Sequence, residues 1–394
     1  MVPTWFYLVC AFAFGSCIGS FLNVVIYRLP RDKSLAFPPS MCPGCEKPIR
    51  FYDNIPILSW LFLGGRCRNC KMLITPRYMI VELMTGLMFV AVFLLYFVYG
   101  DNRFELNGFQ GLEAFNNGGW VFYLVHIALL CSLLSASAID LELWVIPLSL
   151  CWFCTIVGFV GTTIGRAIAG IGPPDSLIIG FYTNFPNIDP AVTTSLAAGA
   201  FVGLIISMIL LMTGVIKRSY QDQGEGNIEE QLNDENYPHR LEMSKEIVFL
   251  LPIIACSLGW YFTCKTVPIV ALGWLNCIQT PMVYGLLSSI WGYFVGCAVV
   301  WVTRILGTLA FGKEAMGLGD VHLMGAVGAV IGPLFVVIAF FVAPFFGLLW
   351  AFYQMFFKKT RQIPYGPFLS IAVFAVMIFH NFFRLYIYGL HLTN

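Results

Sequence analysis

Eight stretches of eighteen or more mostly apolar residues dominate the chain, near 4–27, 78–99, 120–139, 144–165, 193–215, 247–264, 281–303 and 366–388. An α-helix needs about 20 such residues to cross the roughly 30 Å hydrocarbon layer of a bilayer, and inside that layer its backbone polar groups must be paired within the segment itself. The pattern therefore restricts the chain to an all-α polytopic membrane protein. A further region, 321–356, is long enough for two more short crossings, with Gly332-Pro333 or Pro344 as the break between them. The expected total is roughly 8–10 transmembrane helices. Only 11% of the 394 residues are charged, less than half the share usual in soluble domains. The net charge of +1 provides no electrostatic footprint for nucleic acid.

Lysine and arginine set the orientation, because basic loops stay on the cytoplasmic side. They fall in 28–77, at Lys217-Arg218, in the turn expected around Arg304 and Lys313, and in the KKTR run at 358–361. With the N-terminus outside, every one of these lands inside, provided that 321–356 goes up and comes back. The first apolar segment has no basic stretch before it and Arg28, Arg31 and Lys33 after it, the pattern of a retained helix and not of a cleaved signal peptide. The segment 216–246 is polar and acidic with few aromatics, which predicts a solvated connector. The outside loops 100–119 and 166–192 carry no chemical motif, and no fixed-period repeat is evident along the chain.

The loop 28–77 is different. It holds Cys42-x-x-Cys45 and Cys67-x-x-Cys70, two knuckles separated by 21 residues. Two residues between thiolates let both sulfurs face one ion, and two such pairs close a tetrahedral four-cysteine site around Zn²⁺. Two disulfides are the competing reading, and the reducing side of the membrane argues against them. Four sulfurs fill every position around zinc, so the expected site is structural, and the metal supplies folding energy to a loop with little core. The remaining cysteines, Cys151 and Cys154 among them, lie on or beside apolar helices and read as packing residues. Cys264 and Cys277 flank an outside loop at a spacing that permits a disulfide without establishing one.

Acids in membrane segments are costly and so mark candidate functional positions. Asp140 follows the apolar run of the third span, with Pro147 seven residues later, and Asp320 opens the apolar run after Gly317-Leu318-Gly319. Both are expected near the cytoplasmic face. Two carboxylates at one depth in a low dielectric can share a single proton, the arrangement an aspartyl protease needs. The ionised member takes a proton from water while the protonated member donates to the scissile carbonyl. An acid at a helix start also simply caps backbone N–H groups, and paired membrane acids also serve proton-coupled transporters, the alternative function.

In chain order, GSFLNVVIYRLP (19–30), CPGCEKPIRFYDNIPILSWLFLGGRCRNCK (42–71), ITPRYMIVE (74–82), AIDLELWVIP (138–147), GKEAMGLGDVHLMGAVGA (312–329) and IPYGPFLSIAV (363–373) resemble successive signatures of the type IV prepilin peptidases. The resemblance covers most of the chain apart from 100–119 and about 166–275. It implies a GxGD-type membrane aspartyl endopeptidase of the bacterial inner membrane that removes the short basic leader of type IV prepilins or type II secretion pseudopilins at the cytoplasmic face. In many members the same enzyme N-methylates the new terminus, so S-adenosylmethionine joins zinc as an implied cofactor. Prepilin or pseudopilin substrates and membrane lipid are the implied partners. By motif, the catalytic pair is Asp140 and Asp320, and the metal ligands are Cys42, Cys45, Cys67 and Cys70.

The chain departs from the family's pattern at His322, where Lys is frequent, at Leu148 after Ile146-Pro147, where Asp is usual, and at Glu142, where Asp is common. His322 titrates near neutrality and would either tune Asp320 or sit satisfied at the membrane boundary. Glu82 and Asn23 lie in apolar helices and read as hydrogen-bonding partners of neighbouring helices, worth about 1 kcal/mol each or less. His126, mid-helix, reads as structural. The expected organisation is an N-terminal region 1–99 with the zinc loop at 28–77, helices 100–165 carrying the first acid, inserted spans and a polar loop at 166–275, and a GxGD-containing core at 276–394.

Overall fold

The computed structural model describes residues 3–99, 105–106, 108–173, 185, 188–219, 239–357, 365–380, 382–383 and 386. The chain divides into two compact units, Met1–Leu150 and Cys151–Asn394. Eight helices among the described residues are long and apolar enough to cross a membrane. The chain is a multi-pass, all-α membrane protein.

In the first unit, α1 (Thr4–Arg28) and α3 (Arg77–Phe97) lie antiparallel. Small residues set their distance: Gly15 faces the Phe89 ring, Ser16 faces Gly86, and a Cβ at Gly19 would stand 2.7 Å from the Glu82 Cα. Such close backbone approach supplies the dispersion contacts that hold helices together where lipid weakens the hydrophobic drive. The connection 29–76 carries a five-residue helix, α2 (Leu58–Phe62). A two-stranded ribbon, β1 (Glu105–Leu106) and β2 (Phe109–Gln110), leads to the short α4 (Leu112–Ala114) and to α5 (Trp120–Leu143). Aromatic rings from Tyr7, Phe93, Phe97, Phe115 and Tyr123 pack the seam, and the Tyr123 hydroxyl donates to the Phe89 carbonyl at 2.9 Å. His126 is fully buried with Nδ1 2.5 Å from the Tyr96 hydroxyl on α3, a structural role.

In the second unit, α6 (Leu148–Ala169) is followed by α7 (Pro190–Met212), whose first turn is capped by Asp189 accepting from the Ala191 N–H at 2.8 Å. α7 pairs with α8 (His239–Thr266) through Gly199 and Gly203, spaced four apart, which face the backbone at Cys256 and Pro252. Ser207 donates to the Phe249 carbonyl at 2.8 Å and Ser257 to the Leu196 carbonyl at 2.9 Å, fixing the pair at two depths. The short α9 (Pro268–Ile278) precedes α10 (Pro281–Phe311), α11 (Leu318–Phe357) and α12 (Gly366–Ile378). The first limb of α11 packs antiparallel to α10: Gly296 meets the Met324 carbonyl, Gly292 meets Gly328, and Ser289 donates to the Ala329 carbonyl at 2.7 Å.

Three sequence expectations need correction or sharpening. The segment 216–246 is not all connector, since α8 begins at His239 and buries His239, Glu242, Met243 and Glu246. Arg304 is not in a turn: it lies inside α10, completely buried, because ion pairs compensate its charge. The 321–356 region breaks at Gly332, as expected for Gly332-Pro333. Its φ of 83° and ψ of 171° suit glycine alone, and the turn is tight enough that a Cβ at position 328 would stand 3.4 Å from the Val336 side chain. In a straight helix those positions would be about 12 Å apart along the axis. The expectations for 358–361, 220–238, 174–184, 186–187, 100–104, 107 and 387–388 lie outside the described residues.

Candidate functional site

The four cysteines of the 28–77 loop converge. Their sulfurs all lie within 4.8 Å of one another, with Cys42 and Cys70 Sγ at 3.6 Å. A tetrahedron with Zn–S of about 2.3 Å has sulfur–sulfur edges of about 3.8 Å, so the cluster is compatible with a structural zinc ion. Each half is built alike, 25 residues apart. The Cys42 N–H donates to the Lys47 carbonyl and the Cys67 N–H to that of Met72; Glu46 donates to Cys42 and Lys71 to Cys67; Ile49 donates to Ser40 and Ile74 to Gly65. Glu46 and Lys71, each directly after the second cysteine, share a left-handed conformation, with φ 52° and 61°. No repeat is evident in the sequence because only the cysteines and the isoleucines Ile49 and Ile74 recur as letters; the rest of the repetition is in the backbone. N–H groups of Cys70 and Asn69 aimed at Cys67 pull that thiol down to about 6, whereas Cys70, despite the Met72 N–H beside it, is held up to about 11 by partial desolvation and the neighbouring thiols. Cys264 and Cys277 are both free thiols.

The loop is moored to the membrane helices. Asp53 holds Arg68 at 2.6 Å, and that guanidinium keeps its carboxyl below the usual range. Trp60 Nε1 donates to the Ile74 carbonyl at 3.2 Å. Glu82, buried on α3, accepts the Ile57 N–H at 2.7 Å, and Asn23 on α1 donates to the Tyr78 carbonyl at 3.0 Å. Asn23 thus bonds the neighbouring helix as expected, whereas Glu82 bonds the loop.

Asp140 is 6% exposed in the last turn of α5, and its carbonyl accepts the capping N–H of Trp144 at 3.0 Å. The helix runs to Leu143, further than the sequence boundary, so the acid lies within it. Glu142, one of the departures from the family pattern, pairs with Arg77 at the start of α3. Asp320 is 8% exposed in the first turn of α11, directly behind Gly317, where a Cβ would come to 3.6 Å from Asp320 Oδ2. Asp140 belongs to the first unit and Asp320 to the second. His322 packs against Tyr293, hydroxyl to Nδ1 3.5 Å, and against the ring of Trp152.

Two features near Asp320 escaped the sequence reading. Burial, together with the Asp320 carboxylate, pushes the Tyr365 phenol up to about 12, so it remains a neutral donor. The fully buried Arg304 donates to Glu246, to Glu314 at 2.5 Å and to the Met316 carbonyl, just ahead of the GLGD run. The available signal was the acid Glu246 at the head of a span, read there as part of a solvated loop.

The Bacterial Peptidase A24 N-terminal domain family matches residues 13–96, which hold most of α1, the four-cysteine loop and most of α3. The Type IV leader peptidase family matches residues 263–352, which hold α10 and Asp320. The chain resembles the type IV prepilin peptidase family in these two separate stretches. It is 43% identical over 145 residues to the prepilin leader peptidase/N-methyltransferase of Myxococcus xanthus (strain DK1622), covering 36% of this chain and 37% of that one. The protein of the same name from Pectobacterium carotovorum subsp. carotovorum is 30% identical over 197 residues, covering 44% and 63%. That from Klebsiella pneumoniae is 51% identical over 85 residues, covering 20% and 37%. The chain thus spans between about a third and two thirds of the length of these relatives, 37% of the first and 63% of the second. No solved structure matches. Both family matches leave out Asp140 and all of α7, whereas the zinc ligands and Asp320 fall within them.

Proposed function

We propose that the chain is an integral-membrane aspartyl endopeptidase that removes the leader peptide of type IV prepilins or type II secretion pseudopilins, with Asp140 and Asp320 as the catalytic pair. The observation that carries the reading is Asp320: a buried carboxylate opening a membrane helix behind Gly317-Leu318-Gly319, within the region that matches the leader peptidase family. Asp140, buried near the end of α5, is the partner assigned by motif. One carboxylate takes a proton from water as that water attacks the scissile carbonyl, and the other, protonated, donates to the developing oxyanion. Collapse breaks the C–N bond, and the amine leaves with a proton. The relatives are named as peptidases, and nothing supports the proton-coupled transporter.

The pair works at the cytoplasmic face of the bacterial inner membrane, the side on which the basic loops accumulate. The relatives' printed name includes N-methyltransferase, and that supports a second step in which the new N-terminus takes a methyl group from S-adenosylmethionine. Membrane-embedded protein incubated with a prepilin-like peptide tests the first step. Asp140→Asn and Asp320→Asn should each lower cleavage by about 10²- to 10⁴-fold with insertion unchanged, and the double variant should be scarcely worse than either single one. Near-normal cleavage by either variant overturns the assignment. Labelled methyl transfer to the cleaved product tests the second step.

A further inference from the structure

The α7–α8 pair lies outside both family matches up to residue 262, yet it delivers a carboxylate to the loop that leads into Asp320. Glu246, in the second turn of α8, is buried. It accepts from Trp301 Nε1 at 2.7 Å, from Arg304 Nη2 at 3.1 Å and from Arg304 Nε at 3.2 Å. The opposite edge of the same guanidinium holds the loop 312–317: Nη1 donates to Glu314 Oε1 at 2.5 Å and to the Met316 carbonyl. A third tie is the Ala315 N–H, which donates to the Thr308 hydroxyl at 3.2 Å, and Gly307 leaves room for the Ala315 methyl. Residues 314, 315 and 316 are therefore each fixed to α10, four residues or so from the carboxylate of Asp320.

Arg304 has no exposed surface, so its charge depends on these acids, and its planar fork is what lets one side chain address both sides at once. With Glu246 removed, the guanidinium would lose the acid that fixes one edge of its fork and could rotate away from Met316. The α7–α8 pair is itself stiff, because backbone meets backbone at Gly199 and Gly203 and two serine hydroxyls cross between the helices. It can therefore hold Glu246 at a fixed height against α10.

We propose that the α7–α8 pair acts as a brace for the active-site loop: Glu246 orients Arg304, Arg304 holds the Met316 carbonyl, and together they set where the Asp320 carboxylate stands. Glu246 and Arg304 are positioning residues. The assignment of a catalytic outcome rests on the peptidase reading of Asp320, but the brace itself does not.

The test uses the full chain in lipid nanodiscs and two readouts. Hydrogen–deuterium exchange of 312–320, read by mass spectrometry, should be about tenfold faster in Glu246→Gln and in Arg304→Gln, since charge-assisted bonds to a buried fork are replaced by weaker ones. Exchange in 40–75 should stay unchanged. In cleavage of a prepilin-like peptide the same variants should lower kcat by about tenfold or more with KM within about twofold, because the substrate still binds while the carboxylate is misplaced. Arg304→Lys, which keeps the charge and loses the fork, should fall between Arg304→Gln and wild type. Unchanged exchange in 312–320 for Glu246→Gln overturns the brace. Faster exchange with unchanged kcat overturns its link to catalysis. If wild-type protein cleaves nothing, the peptidase reading fails, and the exchange experiment still decides the brace.

Discussion

The Ile57 N–H donates to Glu82 Oε2 at 2.7 Å, and the backbone that presents it is strained. Ile57 has φ 63° and ψ −55°, and the Leu58 N–H closes a γ-turn onto the Pro56 carbonyl at 2.6 Å. This hand of γ-turn is rare, all the more for a β-branched residue, and costs of order 1–3 kcal/mol. Glu82→Leu removes the acceptor and should destabilise the loop by about 1–3 kcal/mol. Limited proteolysis should then nick near 50–65 first, with zinc content retained. Ile57→Gly in that background should recover part of the loss, because glycine enters φ > 0 freely. An unchanged proteolytic pattern in Glu82→Leu would show that the mooring is elsewhere.

The zinc loop should carry one equivalent of zinc, and Cys42→Ser or Cys67→Ser should remove it. Elemental analysis of purified protein checks this; less than half an equivalent in wild type would refute the site. Loss of metal should lower thermal stability and yield before it affects any chemistry, because the metal contributes folding energy to a loop with few buried residues.

Reporter fusions at Lys217, Lys313 and Lys358 should all report cytoplasm, and one at Asn107 should report the opposite side. The hairpin at Gly332 makes the Lys358 result specific, since a single crossing by 318–357 would reverse it. Gly332→Ala forces a side chain into φ 83° and should lower the yield of inserted protein more than Gly347→Ala, where a Cβ meets only the Phe368 ring at 3.7 Å.

Tyr365 offers a spectroscopic check on its neighbourhood. The absorbance difference between wild type and Tyr365→Phe at about 295 nm, where phenolate absorbs, should show ionisation at about 12, above the ordinary 10.0. Because the folded phenol holds its proton to higher pH than the unfolded one, its stabilising contribution is intact below pH 10 and lost as pH rises toward 12. Asp320→Asn should move the transition down. An ionisation near 10 in wild type would place Tyr365 in water, away from the carboxylate.

Much of this architecture was readable as text because membrane helices announce themselves by length and apolarity. The four-cysteine cluster was readable because its spacing states its geometry. What escaped had the opposite character. Arg304 and Glu246 look like loop residues when hydropathy is summed locally, and their meeting across 58 positions helps to make both burials tolerable. The common backbone path of the two knuckles escaped because hydrogen bonds between main-chain groups leave few letters behind. Helix ends shifted by a few residues wherever a cap decided them, as at Trp144, and that shift put Asp140 inside its helix. Gly332 was foreseen through its proline neighbour, but the reversal it makes depends on a dihedral angle that a sequence only permits.

Each half of the doubled knuckle contributes two sulfurs, Cys42 with Cys45 and Cys67 with Cys70, on nearly the same backbone path. The halves are thus close to interchangeable as partners. A chain severed between Lys47 and Gly65 would leave two pieces, each able to complete a tetrahedron with a like piece from another molecule. What would keep a bound metal within one chain is the tether of 21 residues, which holds the second pair at a local concentration that no neighbouring molecule can match.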